Sequence, residues 1–407
     1  MTQSKKNIWY ISKYLNLPEN GNFPGRGFSL LREFSKKDLD CTLFVARHEM
    51  NFFKKNNIPS VETVYIHGVR VIKLNIIKYK KTKSFLRILG WLQFEIKLFL
   101  LKKNTLPKPD VIISSSLSIL SILNGIFFKW IFSSKLIFEV RDIWPLVIIE
   151  NGGFSKYNPF VLLLSFVEWL GYKYSDEIVG TMPNLKEHVQ NILGKDKNVT
   201  CIPMGISNEL ESQKILPLPE KLNDAFPDDK FILTYAGSIG IDNALETFFK
   251  SAESLVSDDK IVFRIAGKGD LLDFYKKKFN HLKNIQFIGN LESKYVQTIL
   301  RKSDCLYFAA HPTKVLKYGQ SLNKLIDYMF SGKIIIASFS GYESMLNESG
   351  CGYFVPAGDE IKLAQKIKEI SNKSLFELNE IGNKGKDWIL SNRKYDLLAE
   401  EYLNLIL

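Results

Sequence analysis

Apolar runs of strand length alternate with amphipathic stretches of helical length in the first half of the chain. Short β-branched runs are typical of buried strands, and apolar residues every three or four positions are typical of helices. The predicted strands are residues 7–12, 41–46, 111–116, 135–140, 177–181 and 199–205, with helices near 25–36, 84–103, 118–132, 157–174 and 183–193. This alternation predicts βαβ units and a parallel sheet covered on both faces.

A second series of the same kind begins after residue 230. Its predicted strands are 231–237, 260–267, 285–289, 305–310 and 333–338. Residues 206–230 contain three prolines and several acids, a composition typical of an interdomain linker. We therefore predict an α/β protein with two Rossmann-like, doubly wound parallel-sheet domains and a cleft between them, at whose strand ends a ligand binds. The predicted boundaries are 1–205 and 206–385, and helices at 386–407 are expected to cross back to the first domain.

Length and composition agree with two folded domains. The chain has 407 residues, of which 45% are hydrophobic and 24% charged. That is enough apolar material for two cores, and it excludes disordered proteins and disulfide-stapled mini-domains. The four cysteines lie far apart without the spacing of a zinc site, which predicts free thiols in a reducing compartment. The first residues contain too short an apolar run for a signal peptide, so we expect a cytoplasmic protein.

The positive charge is concentrated in the first half of the chain. Residues 1–200 carry a net charge of +13, and residues 201–407 carry −1. From Arg70 to Lys108 there are 11 basic residues and a single acid, Glu95, among many apolar side chains. Such a segment is typical of a helix on an anionic membrane surface, although a helix packed on its own sheet with solvated lysines has the same composition. No nucleic-acid-binding motif accompanies the charge, and no nucleic-acid partner is predicted.

Several common catalytic motifs are incomplete or missing. The turns Gly25-Arg26-Gly27 and Gly267-Lys268-Gly269 both lack the third glycine of a dinucleotide-binding fingerprint. The sequence contains no P-loop, no GxSxG elbow and no HExxH string. Asp38 and Asp40 lie in a polar turn, where solvated acids are common, so we predict no metal site there.

The string YAGSIG, residues 235–240, is a predicted strand that ends in glycine and leads into a predicted helix from Asp242 to Ser254. Small residues let a ligand approach the backbone, and free N–H groups at a helix N-terminus suit a phosphate. An ordinary strand-to-helix turn has the same pattern. The string is therefore a candidate phosphate site.

Four strings occur together in a characteristic order: RDIWP at 141–145, YAGSIG at 235–240, SLNKLIDYMFSGKIIIAS at 321–338, and ESGCGYFVP at 348–356. In this arrangement the chain resembles, over nearly its whole length, the GT-B fold glycosyltransferases of glycosyltransferase family four. Within that family it is similar to the bacterial transferases that build O-antigen or capsule on a lipid carrier. The resemblance implies two domains facing a central cleft. It also implies a nucleotide-diphosphate sugar bound by the C-terminal domain, an acceptor bound by the N-terminal domain, and retention of anomeric configuration.

The resemblance also implies roles for residues of the second domain. Asp327 matches the second acid of the family's E-x7-E motif, which contacts the nucleotide ribose, whereas Gly319 replaces the first acid. Lys324 is expected to meet the diphosphate and act in catalysis, a solvated first-turn lysine being the alternative. Relatives often carry basic residues after the first strand, and Lys268 or Arg264 would supply that charge here. The full set expected to bind the donor is Gly237, Ser238, Lys268, Gly289, Ser321, Leu322, Asn323, Lys324 and Asp327.

In the first domain Asp142 is the acid expected to orient the acceptor or assist its deprotonation. A structural pairing with Arg141 or with a loop N–H is the alternative. Arg141 and the loop residues Gly25, Arg26 and Gly27 are expected to line the acceptor side, unless the loop touches no ligand. Amide donors and a lysine stabilise a departing diphosphate, so neither a metal nor a cofactor is obligatory.

The leading prediction is a retaining hexosyl- or N-acetylhexosaminyltransferase that uses a UDP-linked sugar. Its expected acceptor is a polyprenyl-diphosphate-linked saccharide of bacterial surface polysaccharide synthesis. The Arg70 to Lys108 segment would hold the protein at the cytoplasmic face of the cell membrane. Two alternatives are a non-hydrolysing nucleotide-sugar epimerase, which needs acid and base groups facing the sugar ring, and a non-catalytic protein that binds nucleotide sugar or glycan. Gly319 and the missing basic residues after Gly237 favour the last of these.

Overall fold

The computed structural model describes residues 5–18, 23–47, 59–77 and 85–407. The chain divides into two compact units. Unit 1 is Met1–Pro203 together with Tyr395–Leu407, and unit 2 is Met204–Lys394.

Unit 1 is built on a sheet that has eight strands in the described residues, in the order β3-β4-β2-β1-β5-β6-β7-β8. The strands are β1 (Asn7–Ile11), β2 (Asp40–Ala46), β3 (Val61–Ile66), β4 (Val69–Leu74), β5 (Val111–Ser115), β6 (Lys135–Val140), β7 (Glu177–Gly180) and β8 (Val199–Cys201). The helices are α1 (Arg26–Ser35), α2 (Phe85–Leu100), α3 (Ser121–Phe132), α4 (Leu146–Glu150), α5 (Pro159–Tyr174) and α6 (Leu185–Leu193). The six strands predicted in this half are all present, and they pair in parallel as predicted.

The hairpin of β3 and β4 was not predicted, and β3 is antiparallel to β4. The turn consists of His67 and Gly68, whose φ angles are 46° and 80°. Two consecutive positive φ angles are those of a type I′ turn, the turn that matches the twist of paired strands. The β-branched and aromatic residues of VETVYI, followed by this His-Gly pair, are the signal that the sequence contained.

Unit 2 is built on a sheet of six parallel strands in its described residues, in the order β11-β10-β9-β12-β13-β14. The strands are β9 (Phe231–Ala236), β10 (Ile261–Ala266), β11 (Ile285–Gly289), β12 (Cys305–Ala309), β13 (Ile334–Ser338) and β14 (Gly352–Val355). The helices are α7 (Asn208–Glu211), α8 (Glu246–Ser254), α9 (Leu272–Phe279), α10 (Ser293–Lys302), α11 (Asn323–Phe330), α12 (Met345–Ser349), α13 (Glu360–Ser371) and α14 (Leu375–Asn392). Five of these strands were predicted, and the short edge strand β14 was not.

The proline-containing stretch after residue 205 belongs to unit 2. It contains α7 and a 3-10 turn at Glu220–Ala225. Leu222, Ala225 and Phe226 are buried in a small cluster with Ile232 and Ile299. The prediction of an interdomain linker over 206–230 is therefore corrected: the apolar residues between the prolines anchor the segment.

The C-terminal residues are shared between the units. Helix α14 lies in unit 2, and the last helix, α15 (Tyr395–Ile406), lies in unit 1. There α15 packs on α1, with the rings of Phe34 and Tyr402 5.9 Å apart. The returning segment begins at Tyr395, nine residues beyond the start expected for the crossing segment.

In each sheet the early strands lie on one side of the first strand and the later strands lie on its other side. β1 lies between β2 and β5, and β9 lies between β10 and β12. Open α/β sheets bind ligands at the carboxyl ends of the strands beside such a switch in strand order. Each unit therefore has one edge where a site is expected. Within the described part of the chain no helix combines the length and apolar character needed to cross a membrane.

Candidate functional site

A pocket of about 460 Å³ lies in unit 2 at the carboxyl ends of β9, β10 and β11. Five residues predicted to bind a donor line it together: Gly237, Ser238, Lys268, Lys324 and Asp327. Lining residues that the sequence reasoning did not single out include Ala266, Asn290, Leu291, Val296 and Tyr328. Asn290 and Leu291 directly follow β11, so the rule that parallel strands present their carboxyl ends at one edge was the available signal.

Glycines make the floor of this pocket. A Cβ atom on Gly267, whose φ is 143°, would lie 1.8 Å from the carbonyl oxygen of Gly237. A Cβ on Gly269 would lie 2.2 Å from the carbonyl oxygen of Ile239. The two strand ends are held together by the Gly237 N–H, which donates to Ala266 O at 2.9 Å. The neighbouring N–H of Ser238 has no partner among the described residues, so it remains available to a ligand at the pocket.

Lys324 lies in the first turn of α11 and reaches across the end of β9. Its Nζ donates to Tyr235 Oη at 2.9 Å and to Asn243 Oδ1 at 2.6 Å. It also lies 4.5 Å from the centre of the Tyr235 ring. A Cβ on Gly237 would be 2.7 Å from Lys324 Cε, so a larger residue there would require the lysine side chain to move. Burial lowers the pKa of Lys324 to about 8, which differs from the behaviour of a solvated first-turn lysine.

Asp327 lines the pocket one turn further along α11. Its carboxylate accepts no hydrogen bond from the described residues, and burial raises its pKa to about 7. Tyr328 fixes this part of the helix on β9, because its hydroxyl donates to Ala236 O at 2.9 Å and accepts from Ala236 N at 2.8 Å. The helix therefore presents one cation and one carboxyl group to the pocket, neither with an oppositely charged partner.

The remaining predicted donor residues lie beside the pocket rather than on its lining. Gly289 accepts the Gly267 N–H through its carbonyl at 2.8 Å and so supports the floor. Ser321 Oγ accepts the Met204 N–H at 2.8 Å, and Leu322 and Asn323 are exposed where α11 begins. Ser321, Leu322 and Asn323 therefore lie at the start of α11, and Gly289 lies at the end of β11.

The turn after Gly237 differs from the predicted helix start. Residues Ile241–Asn243 form a 3-10 turn, and α8 begins at Glu246 instead of Asp242. His311 holds this turn, with Nε2 2.8 Å from the carbonyl oxygen of Ile241. The donors nearest the pocket are therefore loop N–H groups rather than the N-terminus of a helix.

Arg264 does not supply the extra positive charge that was considered for it. The residue is 5% exposed, and its guanidinium donates to the carbonyl oxygens of Ala225 and Phe263. Burial lowers the pKa of Arg264 to about 10. Lys268, which lines the pocket, is the remaining candidate of that pair.

In unit 1 the residues after β6 form a second polar group. The Oγ of Ser116 accepts the N–H of Arg141 at 2.9 Å and that of Asp142 at 3.4 Å. The Asp142 side chain retains exposed surface. Desolvation by surrounding protein raises the pKa of Asp142, and the positive charges of Arg141 and Arg87 oppose that rise. Arg87, which the sequence placed in the membrane-surface segment, lies 5.5 Å from the centre of the Trp91 ring, and Trp91 contacts Trp144 after β6.

Two residues predicted for the acceptor side, Arg26 and Gly27, are buried in unit 1. Arg26 is 1% exposed, forms an ion pair with Glu139 at 3.0 Å and donates to Pro203 O. A Cβ on Gly27 would lie 2.5 Å from the Tyr10 ring, so the glycine is required by packing. Gly25 donates its N–H to a neighbouring loop carbonyl, that of residue 16, at 2.8 Å. Arg26 and Gly27 are core residues, which corrects their assignment to the acceptor side.

The described residues contain no group of three or more His, Cys, Asp or Glu side chains that could hold a metal ion. In the pocket, the polar groups are amides, hydroxyls, two lysines and one carboxyl group. This set suits an anionic, hydroxyl-bearing ligand, since lysines and N–H groups bind phosphate and a carboxylate accepts from hydroxyls.

Comparison with known proteins agrees with this chemistry. Residues 230–373, which include every residue lining the pocket, match the family described as glycosyl transferases group 1. The probable glycosyltransferase WbjE of Pseudomonas aeruginosa is 22% identical over 286 residues, 67% of this chain and 68% of the relative. These sequence likenesses support a glycosyltransferase.

Solved structures resemble the whole chain. The E. coli trehalose-6-phosphate protein bound with UDP-2-fluoro glucose has a TM-score of 0.74 and 14% identity, covering 98% of this chain and 99% of its own. Sucrose-phosphate synthase from Thermosynechococcus elongatus has a TM-score of 0.70 and 14% identity, covering 98% of both chains. The chain therefore has an α/β fold of the GT-B type with two parallel-sheet domains, and the predicted fold class is confirmed.

Proposed function

We propose that this protein is a retaining glycosyltransferase that binds the diphosphate of a nucleotide sugar in the unit 2 pocket. One observation carries the proposal. Lys324 and Asp327 are both desolvated beside a glycine floor, without opposite charges, inside the segment that matches glycosyl transferases group 1. Desolvated charges of this kind are costly, and they occur mainly where a ligand supplies the missing partner.

Lys324 is the group proposed to meet the leaving diphosphate. When the glycosidic bond to the nucleotide breaks, negative charge builds on the phosphate oxygens. A lysine already held by Tyr235 and Asn243, together with the Ser238 N–H and Lys268, stabilises that charge without reorganising. The lysine is therefore proposed to act in catalysis as well as in binding.

Asp327 is the group proposed to bind the nucleotide ribose. Its carboxylate has unused acceptor capacity within the pocket, which two ribose hydroxyls would fill. A UDP donor is supported by the E. coli structural neighbour, which was solved with UDP-2-fluoro glucose. The structure also gives a reason for Gly319 in place of an acid: its φ is 87°, a conformation that disfavours any side chain.

Asp142 is proposed to orient the acceptor hydroxyl, which attacks the sugar from the face that the diphosphate leaves. The proton then passes to a departing phosphate oxygen. This route gives retention and needs only one carboxylate near the acceptor, unlike the paired carboxylates of a double displacement. A hexosyl or N-acetylhexosaminyl group is the sugar proposed for transfer.

The acceptor is proposed to be a polyprenyl-diphosphate-linked saccharide for a bacterial surface polysaccharide, reached by peripheral binding at the cytoplasmic face of the cell membrane. Helix α2 exposes Leu92, Ile96, Phe99 and Leu100, between 47% and 70% accessible, close in sequence to Lys97, Lys102 and Lys103. Helix α5 exposes Leu162, Leu163 and Phe166. Apolar side chains interleaved with lysines suit an anionic lipid surface. The basic residues of the segment at 78–84 lie outside the described residues.

The donor assignment is tested with Lys324→Ala and Asp327→Ala. We expect Lys324→Ala to reduce sugar transfer to a lipid-linked acceptor about 100-fold, the usual cost of losing one donor to a developing oxyanion. We expect Asp327→Ala to weaken UDP binding about tenfold. Transfer is measured by mass spectrometry over a panel of nucleotide sugars, and binding by calorimetry.

Lys294→Ala and Asp259→Ala are matched controls, because both residues form exposed surface ion pairs in unit 2. They should leave both measurements unchanged. Unaltered transfer and unaltered UDP affinity in both pocket variants would refute the donor site.

Membrane binding is tested separately by sedimentation with liposomes. We expect binding to anionic vesicles that weakens at higher salt, and little binding to neutral vesicles. Indifference to lipid charge and to salt would remove this part of the proposal.

A further inference from the structure

Residues 238–249, which follow the first strand of unit 2, contain no lysine or arginine. The cation at this strand end comes from α11 instead, as Lys324. Two neutral oxygens accept hydrogen bonds from its Nζ: Tyr235 Oη at 2.9 Å and Asn243 Oδ1 at 2.6 Å. An ammonium group has three N–H bonds. One N–H of Lys324 therefore has no acceptor among the described residues.

The two acceptors differ in what fixes them. Tyr235 lies in β9, is fully buried, and donates its own hydroxyl proton to Ser238 O at 2.5 Å. Its position is set by the core of unit 2. Asn243 is half-buried and is the last residue of the 3-10 turn Ile241–Asn243. The shorter of the two bonds to Lys324 thus depends on a turn at the surface.

Contacts on both sides hold this turn. The N–H of Ala244 donates to Ile241 O at 3.3 Å. His311, in the loop after β12, places Nε2 2.8 Å from the same oxygen, so that nitrogen donates as well. Ala244 has a φ angle of 46°, a left-handed conformation that disfavours any residue with a Cβ. Strained residues of this kind persist where the surrounding structure fixes them, and they are frequent at ligand sites.

Neutral acceptors hold a lysine without cancelling its charge. Titratable side chains stand on each element around Lys324: Tyr235 on β9, Asp327 and Tyr328 on α11, Lys268 after β10, Asp242 in the turn and His311 after β12. Burial lowers the pKa of Lys324 to about 8, and no charge of the described residues opposes that change. The ammonium group is therefore oriented and still lacks a counter-charge.

We propose that Asn243 is a positioning residue, which acts through Lys324 on the diphosphate of the donor. Its carboxamide oxygen holds the ammonium group at the end of β9 and leaves one N–H for a phosphate oxygen. A carboxylate at this position would form an ion pair with the lysine and compete with the diphosphate, and an apolar side chain would let the lysine turn away. The inference rests on the proposed function. It explains how a turn without a cation of its own takes part in a phosphate site.

The pKa of Lys324 is measured first, without any ligand, from the pH dependence of its acetylation rate followed by mass spectrometry. Asn243→Asp should raise the pKa of Lys324 by about one to two pH units, because an opposite charge favours the ammonium form. Asn243→Leu should lower the pKa, because the ammonium form loses an acceptor. Asn372→Asp is the control, since it adds the same charge at an exposed position at the end of α13 and should change nothing.

UDP-glucose affinity is then measured by calorimetry from pH 6 to 9. At pH 7.5 both Asn243 variants should bind about tenfold more weakly than the native protein. The loss of affinity at alkaline pH should move to higher pH in Asn243→Asp and to lower pH in Asn243→Leu. Opposite movements are the decisive result, because general damage to the turn would weaken binding in both variants without moving the profile in two directions.

His311 tests whether the turn itself is needed. His311→Leu removes the donor to Ile241 O and should weaken UDP-glucose binding about threefold. His311→Gln carries an N–H at a similar position and should restore most of the affinity. Equal affinities in the two variants would remove His311 from the inference.

The outcomes separate this inference from the proposed function. If the pKa of Lys324 is the same in the native protein and in both Asn243 variants, the inference is overturned, even where Lys324→Ala abolishes transfer and the proposed function stands. If the native protein binds no UDP-glucose, the proposed function fails, and the role of Asn243 in donor binding fails with it. Thermal unfolding shows whether each variant is folded; should Asn243→Leu not fold, the comparison of Asn243→Asp with Asn372→Asp decides.

Discussion

The two units bury charge in opposite ways. In unit 1 the carboxylate of Glu139 is fully enclosed and accepts from the side chains of Arg26 at 3.0 Å, Tyr10 at 2.5 Å, Tyr402 at 2.6 Å and Ser115 at 3.2 Å. In unit 2 the carboxylate of Asp327 accepts from none of the described residues. The enclosed acid, Glu139, is satisfied by the protein, and the half-buried acid of the pocket, Asp327, is not.

Their pKa values differ for this reason. Desolvation raises the pKa of Glu139, but the charges of Arg26 and Arg141 and two tyrosine hydrogen bonds outweigh it and hold the value below its usual range. Desolvation acts alone on Asp327 and raises its pKa to about 7. The comparison teaches that burial of a charged residue does not by itself indicate a site. The informative feature is a buried charge whose partner is missing.

The largest expected effect is on the satisfied acid. Arg26→Met should lower the free energy of unfolding of unit 1 by about 3 to 5 kcal/mol, because it leaves Glu139 buried without a cation. Denaturant unfolding followed by tryptophan fluorescence measures this loss. UDP affinity should not change, since the pocket lies in unit 2.

The double variant Arg26→Met/Glu139→Leu is the control for that experiment. Removing both charges should restore most of the stability, because an apolar pair replaces the ion pair without a desolvated charge. A single variant as stable as the native protein would mean that the Glu139 cluster contributes nothing and that the contrast between the units is false.

A smaller effect of opposite sign is expected at the unsatisfied acid. Asp327→Asn should raise stability at pH 8 by about 1 to 3 kcal/mol while weakening UDP binding about tenfold. The sign follows from the raised pKa: the folded protein binds this proton more tightly than the unfolded chain, so the carboxyl group destabilises the fold increasingly as the pH rises from about 4 to about 7.

Thermal unfolding at pH 5 and pH 8 checks this prediction, since the gain should shrink at the lower pH. Asp259→Asn, at an exposed ion pair, is the control and should not stabilise the protein at either pH. If Asp327→Asn is destabilising at pH 8, the carboxylate already has a partner in the folded protein.

The smallest effect concerns pH and ligand binding. UDP-glucose affinity should be highest between pH 7 and 8 and should fall several-fold within one pH unit on either side. Below about pH 7 Asp327 takes up a proton, and above about pH 8 Lys324 loses one. Calorimetric titrations from pH 6 to 9 measure the profile.

The acid side and the alkaline side of this pH profile are each tested with one variant. Asp327→Asn should abolish the loss on the acid side, and Lys324→Met the loss on the alkaline side. If the affinity still falls on the same side of the profile in the corresponding variant, another group causes that pH dependence.

Much of the fold could be predicted from local pattern. The apolar runs that became β1, β5 and β6, and those that became β9 and β10, are bounded by turns and contain β-branched residues, so periodicity alone located them. The hairpin of β3 and β4 was missed because its strands contain charged residues between the apolar ones and are partly exposed. An edge strand lacks the continuous apolar run of a buried one.

The pocket could be predicted in part for the same reason. Gly237 and Gly267 stand at the ends of apolar runs, where a parallel sheet places ligands, and Lys324 and Asp327 lie in a string with a family resemblance. Arg26 was wrongly predicted to line the acceptor side. Its sequence neighbours are glycines, whereas its partner Glu139 is more than 100 residues away. No local pattern contains that pairing.

The sequence by itself determined the two α/β units, the order of their elements and the glycine-ended strands, because these depend on periodicity and on the steric needs of single residues. Only the tertiary structure decided which charges are compensated. It paired Arg26 with Glu139, left Asp327 without a donor among the described residues, and brought Trp91 to Trp144 across about 50 residues of chain. The physical reason is that the free energy of a buried charge depends on the groups within a few ångströms of it, and distant segments of the chain supply those groups.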